Sequence, residues 1–466
     1  MKLDLFPFQR TDVDKFINED HRAGLFAYEQ ALGKTLTATT LTVELGTKVN
    51  LVVAPQVTFD GWEEAVHTQT NGKEQLRWMK KTSKAGKQAI QDFYDGKEGW
   101  YFITWQLMRG GLLFETNADM VIGDEIHEIQ NKNGSAQNIL LNEIRSNYRI
   151  GLSGTASGNK LAGIYGVISW LWPAKYKAYW PWLKKHFLLA GFGHALTPIR
   201  EKVPGSVTAD LPFFVRRLKK DHYADMIPTP LKPVEFYVDM TETQRKIYDQ
   251  FERTSGAWLD EEDEEAGFVF SQYSITKAMR LREIALGNPV MDEVDGKWVT
   301  TFRPDTKSAK LDKLIEILED PAHGDAPFVV YTHSKKFIEV VVERLRARGI
   351  TAEAFTGDLN YKQKRKAIAG LGEDYRVMVA TQASIGTGTD GLQHKCSRMV
   401  ILSRDVKMIV NEQAKERLYR PGQKEHVQTW EIIANESNDL DTNANLDYAQ
   451  EQVASMLDAN TLGEGE

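Results

Sequence analysis

Short apolar runs alternate with amphipathic stretches in the first half of this chain of 466 residues. Residues 49–54, 101–104, 118–123 and 148–152 are apolar runs bounded by turn-forming or polar residues. Runs of this length are typical of buried parallel strands. A helical pattern over 35–45 lies between such runs and ends at a glycine. Strands that alternate with helices predict an α/β fold with a doubly wound parallel sheet.

A second series of the same kind begins after residue 300. Its strand-like runs are 328–331, 351–355, 377–380, 399–402 and 427–433, with helical stretches at 335–348 and 361–370. A proline-rich segment at 201–233 separates the two series, as expected for a crossing between lobes. We therefore predict two α/β lobes, residues 1–225 and 226–450. Residues beyond about 436, and above all an acidic tail at 451–466, are predicted to be weakly ordered.

Two segments depart from the alternation of strands and helices. Residues 160–200 are crowded with tryptophan, tyrosine and lysine. A platform for stacking bases is one interpretation, but we favour a helical insertion whose aromatic rings pack on each other. Residues 240–300 predict a polar helical protrusion in the second lobe, with an acidic run at 260–265 that we interpret as a solvated loop.

Composition narrows the class of protein. The chain is 42% hydrophobic and 26% charged, and it has no run of 18 or more apolar residues, so no membrane partner is expected. The single cysteine, Cys396, excludes an internal disulfide and a cysteine-based zinc site. We expect an intracellular, cytoplasmic protein from a bacterial or viral genome. A net charge of −7 counts mildly against a nucleic-acid partner, although local basic stripes can act on an acidic protein.

The stretch FAYEQALGKT at residues 26–35 has the character of a phosphate-binding loop that enters a helix. Backbone N–H groups of such a turn face the phosphates, Lys34 adds a point charge, and Thr35 can hold a magnesium ion. The strict pattern requires glycine at the position of Tyr28, so the match is equivocal by itself.

A pair of carboxylates resolves the ambiguity. Asp124 and Glu125 follow the apolar run 118–123 directly, at the end of a strand where ligands bind in this architecture. The first can hold Mg²⁺, and the second can orient or deprotonate an attacking water. His127 has no second histidine or cysteine at ligand spacing. We interpret it as a polar link between the carboxylates and a neighbouring segment.

Positive charge for a phosphate comes from the second lobe. Arg417 and Arg420 are three residues apart and are predicted to share one helix face. Two guanidinium groups suit a γ-phosphate whose charge develops in the transition state.

Together these motifs resemble the superfamily-two helicase-type ATPases, and within them the Swi/Snf chromatin-remodeller-like branch of DNA translocases. The resemblance covers roughly residues 5–435. The segments that carry it are 5–10 (LFPFQR), 31–35 (ALGKT), 51–55 (LVVAP), 102–104 (FIT), 124–127 (DEIH), 152–156 (LSGTA), 212–219 (PFFVRRLK), 238–248, 330–334 (VYTHS), 355–357 (FTG), 380–392 and 413–423.

The resemblance implies two RecA-like lobes with helical protrusions that use ATP and Mg²⁺. It assigns ATP binding to Gln9, Leu32, Gly33, Lys34, Thr35, Gly388, Asp390 and Gln413, and the metal to Thr35 and Asp124. It assigns catalysis to Lys34, Asp124, Glu125, Arg417 and Arg420, and coupling to His127, Ser153 and Thr155. It assigns nucleic-acid contact to Thr104, Thr332, Ser334, Thr356, Gly357 and Thr381.

The implied function is that of a minimal, monomeric motor, without accessory domains, that couples ATP hydrolysis to sequence-independent movement along duplex DNA. One alternative is a strand-separating DNA or RNA helicase of the same superfamily. Another is a non-hydrolysing DNA-binding scaffold, which only the unusual loop residues Tyr28, Gln30 and Ala31 suggest.

Overall fold

The computed structural model divides into two compact units. It describes residues 3–113, 115–130, 140, 143–158, 161–191, 196–223, 226–258, 268–270, 274–294, 297–386 and 390–459. The first unit contains the chain up to His222 together with the residues from Ala449 onward, and the second is Tyr223–Tyr448. We had predicted a boundary at 225/226 and a separate tail at 451–466.

A seven-stranded sheet forms the centre of the first unit. The described strands of this unit are β1 (Ala23–Tyr28), β2 (Val49–Ala54), β3 (Leu76–Trp78), β4 (Gly99–Thr104), β5 (Thr116–Asp124), β6 (Ile144–Leu152), β7 (Phe187–Ala190), β8 (Thr197–Glu201) and β9 (Phe214–Arg217). The sheet has the order β3-β4-β2-β5-β6-β1-β9, and every pair in it is parallel. The main helices beside it are Pro7–Asn18, Lys34–Glu44, Phe59–Gln69 and Lys84–Tyr94.

A six-stranded sheet forms the centre of the second unit. The described strands here are β10 (Val234–Val238), β11 (Gly256–Trp258), β12 (Phe268–Phe270), β13 (Pro289–Val294), β14 (Lys297–Phe302), β15 (Phe328–Thr332), β16 (Ala352–Phe355), β17 (Val377–Thr381), β18 (Arg398–Ile401) and β19 (Gln428–Ala434). The sheet has the order β10-β19-β18-β15-β17-β16 with parallel pairs throughout. The predicted class, two α/β units with parallel sheets, is confirmed.

Side chains of the central strand β15 alternate between two apolar cores. Phe328 and Val330 belong to one hydrophobic cluster, whereas Val329 and Tyr331 belong to another. Successive side chains of a strand point to opposite faces, so helices must cover both sides of this sheet. Those helices include Ala309–Glu319, Lys335–Ala347, Tyr361–Gly370 and Met408–Lys415. Burial on both faces explains why these strands are continuous apolar runs in the sequence.

The aromatic segment of the first unit packs on itself, as we had favoured. It contains the helices Ile164–Leu171 and Tyr179–His186 and the antiparallel pair β7–β8. Trp170, Trp182 and Tyr165 are buried, and the rings of Tyr165 and Trp182 lie 5.0 Å apart. Rings buried in this way are not available to stack with bases.

Among its described residues, the protrusion of the second unit has two helices and two antiparallel pairs of strands. The helices are Glu242–Thr254 and Ser274–Leu286, and β11 pairs with β12 and β13 with β14 in antiparallel fashion. The acidic run at 260–265 lies outside the described residues.

The prediction of weak order beyond residue 436 is wrong for most of that segment. A helix spans Asn438–Asp458, and Val453, Met456 and Leu457 are buried on it. These residues have the i, i+3, i+4 spacing of one helix face. Their apolar stripe is too short to show in a segment dominated by Asn, Asp and Glu.

Among the described residues, no helix is both long enough and apolar enough to cross a membrane.

A close backbone contact fixes the turn that follows the carboxylate pair. A Cβ atom on Gly166 would lie 2.0 Å from the carbonyl oxygen of Ile129, at the end of the 3₁₀ turn Ile126–Ile129. We expect Gly166→Ala to lower the free energy of unfolding in urea by about 1–3 kcal/mol, since backbone must move to admit the methyl group. Gly61→Ala is the matched control, because a Cβ on Gly61 meets nothing within 4 Å. It should be neutral or stabilise its helix by up to about 1 kcal/mol. Equal effects of the two substitutions would contradict this packing.

Candidate active site

The register of the first sheet brings the predicted motifs of this unit to one edge. In the parallel pairing, Asp124 lies opposite Leu152, and Leu152 lies opposite Phe26. The loop after β1, the carboxylates at the end of β5 and the Ser-Gly-Thr segment after β6 are therefore neighbours at the carboxyl ends of adjacent strands. This is the edge at which ligands bind in open parallel sheets.

The loop after β1 makes the tight turn expected of a phosphate-binding loop. Ala31 and Gly33 have φ angles of 65° and 75°, both in the left-handed region, and the helix begins at Lys34. The Lys34 ammonium donates hydrogen bonds to the carbonyl oxygens of Tyr28 (3.0 Å) and Glu29 (3.3 Å). Burial lowers the pKa of Lys34, while Glu125 and Asp124 act in the opposite direction. The ammonium is thus held next to the carboxylates and to the N-terminus of the helix.

Gln9 joins the first helix to this loop. Its amide nitrogen donates to the Leu32 carbonyl oxygen at 2.9 Å, and its amide oxygen accepts the backbone N–H of Phe6 at 2.9 Å. A Cβ atom on Gly33 would lie 2.3 Å from the same amide nitrogen, so a larger residue there would displace the Gln9 amide and would also be strained at a φ of 75°. Gln9 therefore contacts the loop after β1, and its predicted contact with adenine stays a prediction.

Asp124 is a buried carboxylate with two N–H donors. Trp62 Nε1 donates to Oδ2 at 3.0 Å, and the Glu125 backbone N–H donates to Oδ1 at 3.0 Å. Burial, followed by the charge of Glu125, raises the pKa of Asp124 to about 6. Trp105 Nε1 donates to the Asp124 carbonyl oxygen at 2.9 Å. No role was predicted for Trp105, although its place directly after β4 was a usable signal.

His127 connects the second carboxylate to the Ser-Gly-Thr segment, as we had interpreted it. Its Nδ1 lies 3.3 Å from Glu125 Oε2 and 3.2 Å from Ser153 Oγ. Ser153 Oγ in turn accepts the backbone N–H of Thr155 at 3.1 Å. A change at Glu125 can thus reach the loop after β6 through direct polar contacts.

The oxygen donors here suit magnesium. Thr35, the second residue of its helix, is half-buried, and its hydroxyl makes no hydrogen bond within the described part of the chain. Together with the Asp124 carboxylate it offers hard oxygen ligands, which Mg²⁺ prefers. A dication would also favour the charged form of a carboxyl group whose pKa is raised.

The predicted residues of the second unit adopt a different local structure from the one we expected. The helix Met408–Lys415 ends before Arg417 and Arg420, so the two arginines do not share a helix face. The prediction failed because the chain turns at 416–420, ahead of Pro421 and Gly422. Gln413 lies on the helix and is half-buried.

Arg420 forms an ion pair with another predicted residue. Its Nη1 lies 3.1 Å from Asp390 Oδ1, which also accepts N–H groups of Gly391 (2.9 Å) and Gln393 (3.1 Å). Burial lowers the pKa of Arg420, against the charge of Asp390. Gly388, which we had assigned to nucleotide binding, lies outside the described residues.

The residues predicted to contact nucleic acid differ in exposure. Thr104, Thr356 and Thr381 end or follow parallel strands and are half-buried, and Gly357 is exposed. Thr332 ends β15 and Ser334 follows that strand, but both are buried. Thr332 Oγ1 accepts the Ser334 N–H at 3.3 Å and lies 3.4 Å from Ser403 Oγ.

Each of the two units is built on a parallel sheet, and the first places a phosphate loop beside a pair of carboxylates. These features assign the protein to the class of helicase-type ATPases. Within that class the chain belongs to the SNF2-related family. The SNF2-related domain matches residues 8–287, and the helicase conserved C-terminal domain matches residues 309–422. The resemblance noted from the sequence is thereby confirmed.

Characterised relatives are distant and longer. The chain is 21% identical to mouse DNA excision repair protein ERCC-6 over 330 residues, which are 67% of this chain and 22% of that protein. It is 22% identical to transcription regulatory protein SNF2 of Saccharomyces cerevisiae, over 90% of this chain and 25% of the relative. It therefore spans about a quarter of the length of these relatives. Among solved structures it is similar to the Sulfolobus solfataricus SWI2/SNF2 ATPase core in complex with dsDNA. That match has 16% identity, 98% coverage of this chain, 97% of the other and a TM-score of 0.41.

The left-handed backbone of Ala31 predicts that glycine is tolerated there. A left-handed conformation costs a non-glycine residue about 1–2 kcal/mol, which Ala31→Gly removes at the expense of greater freedom in the unfolded chain. Phosphate release from ATP should stay equal to that of the wild type or increase. The control is Ala38→Gly in the helix Lys34–Glu44, where glycine should lower stability by about 1 kcal/mol. Loss of hydrolysis in Ala31→Gly would show that the methyl group itself is needed.

The Asp124 carboxyl is expected to titrate near pH 6 in the metal-free protein, against an ordinary value of 3.8. Its contribution to stability is fully present below pH 3.8 and is lost as the pH rises through about 6, since the folded state holds the proton longer. Carbon-13 NMR of aspartate carboxyls measures the midpoint, and Asp124→Asn identifies the signal. Because Glu125 adds to the shift, Glu125→Gln should lower the midpoint. A wild-type midpoint near pH 4 would contradict the effect of burial.

Proposed function

We propose that this chain couples hydrolysis of Mg-ATP to movement along duplex DNA. The observation that carries the proposal is the juxtaposition at one sheet edge of a phosphate loop, its half-buried lysine and a carboxylate pair. Family membership supports ATP hydrolysis, and the sequence-independent motor is our inference from the relatives and from the residues at strand ends.

The proposed chemistry assigns one task to each residue. Thr35 and Asp124 would hold the magnesium ion, which when bound neutralises phosphate charge. Lys34 would exchange the carbonyl oxygens of Tyr28 and Glu29 for phosphate oxygens. Glu125 would orient the attacking water and accept its proton.

Two further groups complete the proposed cycle. Arg417 and Arg420 would stabilise the charge that develops on the γ-phosphate. His127 would report the state of Glu125 to Ser153, which gives hydrolysis a path to a conformational change. A nucleotide shifts such an equilibrium only through contacts that differ between states, so the proposal requires that the contacts of these residues with the phosphates change on hydrolysis.

DNA is the proposed track. One relative is named for DNA excision repair, which favours DNA over RNA. The hydroxyl and N–H groups of Thr104, Thr356, Gly357 and Thr381 suit phosphate oxygens, so binding should be largely independent of sequence and sensitive to salt. The burial of Thr332 and Ser334 makes them weaker candidates for direct contact.

Phosphate release tests the proposal under four conditions: no nucleic acid, duplex DNA, single-stranded DNA and RNA. Duplex DNA should stimulate release most. Lys34→Ala should lose activity through nucleotide binding, whereas Glu125→Gln should still bind nucleotide but hydrolyse it roughly 10²-fold or more slowly. If the wild type shows no more turnover than these variants under any of the four conditions, the protein is a non-hydrolysing scaffold and the proposal fails. Stimulation by RNA alone would refute the DNA assignment.

Strand displacement distinguishes movement from unwinding. We expect ATP-dependent displacement of a third strand from a triplex without separation of a plain duplex. Separation of the plain duplex would instead establish the strand-separating helicase.

A further inference from the structure

Tyr28 occupies the position at which a strict phosphate loop has glycine, and its side chain is fully buried. Its ring contacts those of Phe8 and Phe26 at centroid distances of 5.9 and 6.0 Å, both edge-on. The hydroxyl group donates a hydrogen bond to Asp12 Oδ2. Burial, followed by the charge of Asp12, raises the pKa of Tyr28, so the hydroxyl keeps its proton and remains a donor.

Asp12 is a fully buried carboxylate on the helix Pro7–Asn18. Arg217, the last residue of β9, donates to both of its oxygens: Nε lies 3.0 Å from Oδ2, and Nη2 contacts Oδ1. A two-pronged contact of this kind is the strongest pairing that a carboxylate forms with a side chain. A buried charge without such a partner would be strongly destabilising.

Tyr28 and Arg217 also fix the backbone segment that contacts Lys34. The Tyr28 carbonyl oxygen accepts the Lys34 ammonium at 3.0 Å. The next N–H, that of Glu29, donates to the Arg217 carbonyl oxygen at 3.0 Å. The Glu29 carboxylate accepts the Lys219 N–H at 2.7 Å. The first turn of the loop is therefore fixed from the first helix on one side and from β9 and the residues after it on the other.

We propose that Asp12, Tyr28 and Arg217 are positioning residues for Lys34. Arg217 fixes the Asp12 carboxylate, Asp12 fixes the Tyr28 hydroxyl, and Tyr28 fixes the peptide from which Lys34 reaches a phosphate. In this chain a side-chain anchor thus fixes the backbone of the loop, as a compact glycine turn does in the strict loop. This inference rests on the proposed role of Lys34 in binding ATP.

A merely structural role would lower stability without altering nucleotide binding, so affinity is the deciding measurement. Tyr28→Phe keeps the ring and removes only the hydroxyl. Tyr165→Phe is the matched control: it removes another tyrosine hydroxyl in the same unit, one that donates to the Tyr176 carbonyl oxygen at 3.0 Å. Both should lower the melting temperature to a similar extent.

We expect Tyr28→Phe to weaken binding of a fluorescent ATP analogue with Mg²⁺ by about three- to tenfold, the worth of one hydrogen bond. The KM for ATP should rise in parallel while kcat changes by less than about twofold. Tyr165→Phe should bind the analogue as the wild type does. Unchanged affinity in Tyr28→Phe, or an equal loss in both variants, would overturn the inference.

Asp12→Asn provides a second, independent test. If Asp12 acts through Tyr28, the double variant Asp12→Asn/Tyr28→Phe should lose much less affinity than the product of the two single losses. If the two losses of affinity multiply in the double variant, Asp12 does not act through Tyr28 and the inference is overturned. A wild type that binds the analogue without hydrolysing ATP would refute the proposed function and leave this test valid. Failure of the wild type to bind nucleotide would overturn both.

Discussion

The half-buried ammonium group of Lys34 constrains the polar residues around it in the first unit. Burial lowers the pKa of Lys34, and the negative charge of its neighbours opposes that shift and favours the charged ammonium. Asp124 and Glu125 supply the charge, and the carbonyl groups of Tyr28 and Glu29 supply the contacts. Each group requires the others: without the lysine, two adjacent carboxylates, one fully buried, would repel each other at the same edge of the sheet.

The parallel sheet is what allows this concentration of charge. Strands whose carboxyl ends lie together deliver Tyr28, Asp124 and Ser153 to one place from positions 125 residues apart at the extremes. Helices cover both faces, so the strands themselves are apolar and the polar residues collect beyond their ends. The same reasoning applies to the second unit, where Thr332, Thr356 and Thr381 end or follow strands of its sheet.

Features that depend on a short stretch of sequence could be predicted from the sequence alone. The pair Asp124–Glu125 follows a conspicuous apolar run, and its role is readable from that placement. Of the strands in the two parallel sheets, β1, β3, β9 and β10 were not recognised. β3 and β9 are very short, β1 merges into the loop, and β10 directly follows the proline-rich segment. The partners of Tyr28 could not be found, since Asp12 is 16 residues before it and Arg217 is 189 residues after it. Only the fold brings them together.

Two of the three unusual loop residues, Ala31 and Tyr28, have physical explanations of different kinds. Ala31 adopts a left-handed conformation that glycine would adopt at lower cost, so it is tolerated rather than required. Tyr28 is anchored by Asp12, which Arg217 neutralises, so it belongs to a set of three residues whose members depend on each other. A departure from a motif weakens the case for a site when nothing else in the fold compensates for it. A departure that the fold compensates with a buried ion pair and a hydrogen bond shows how this chain holds the same backbone by other means.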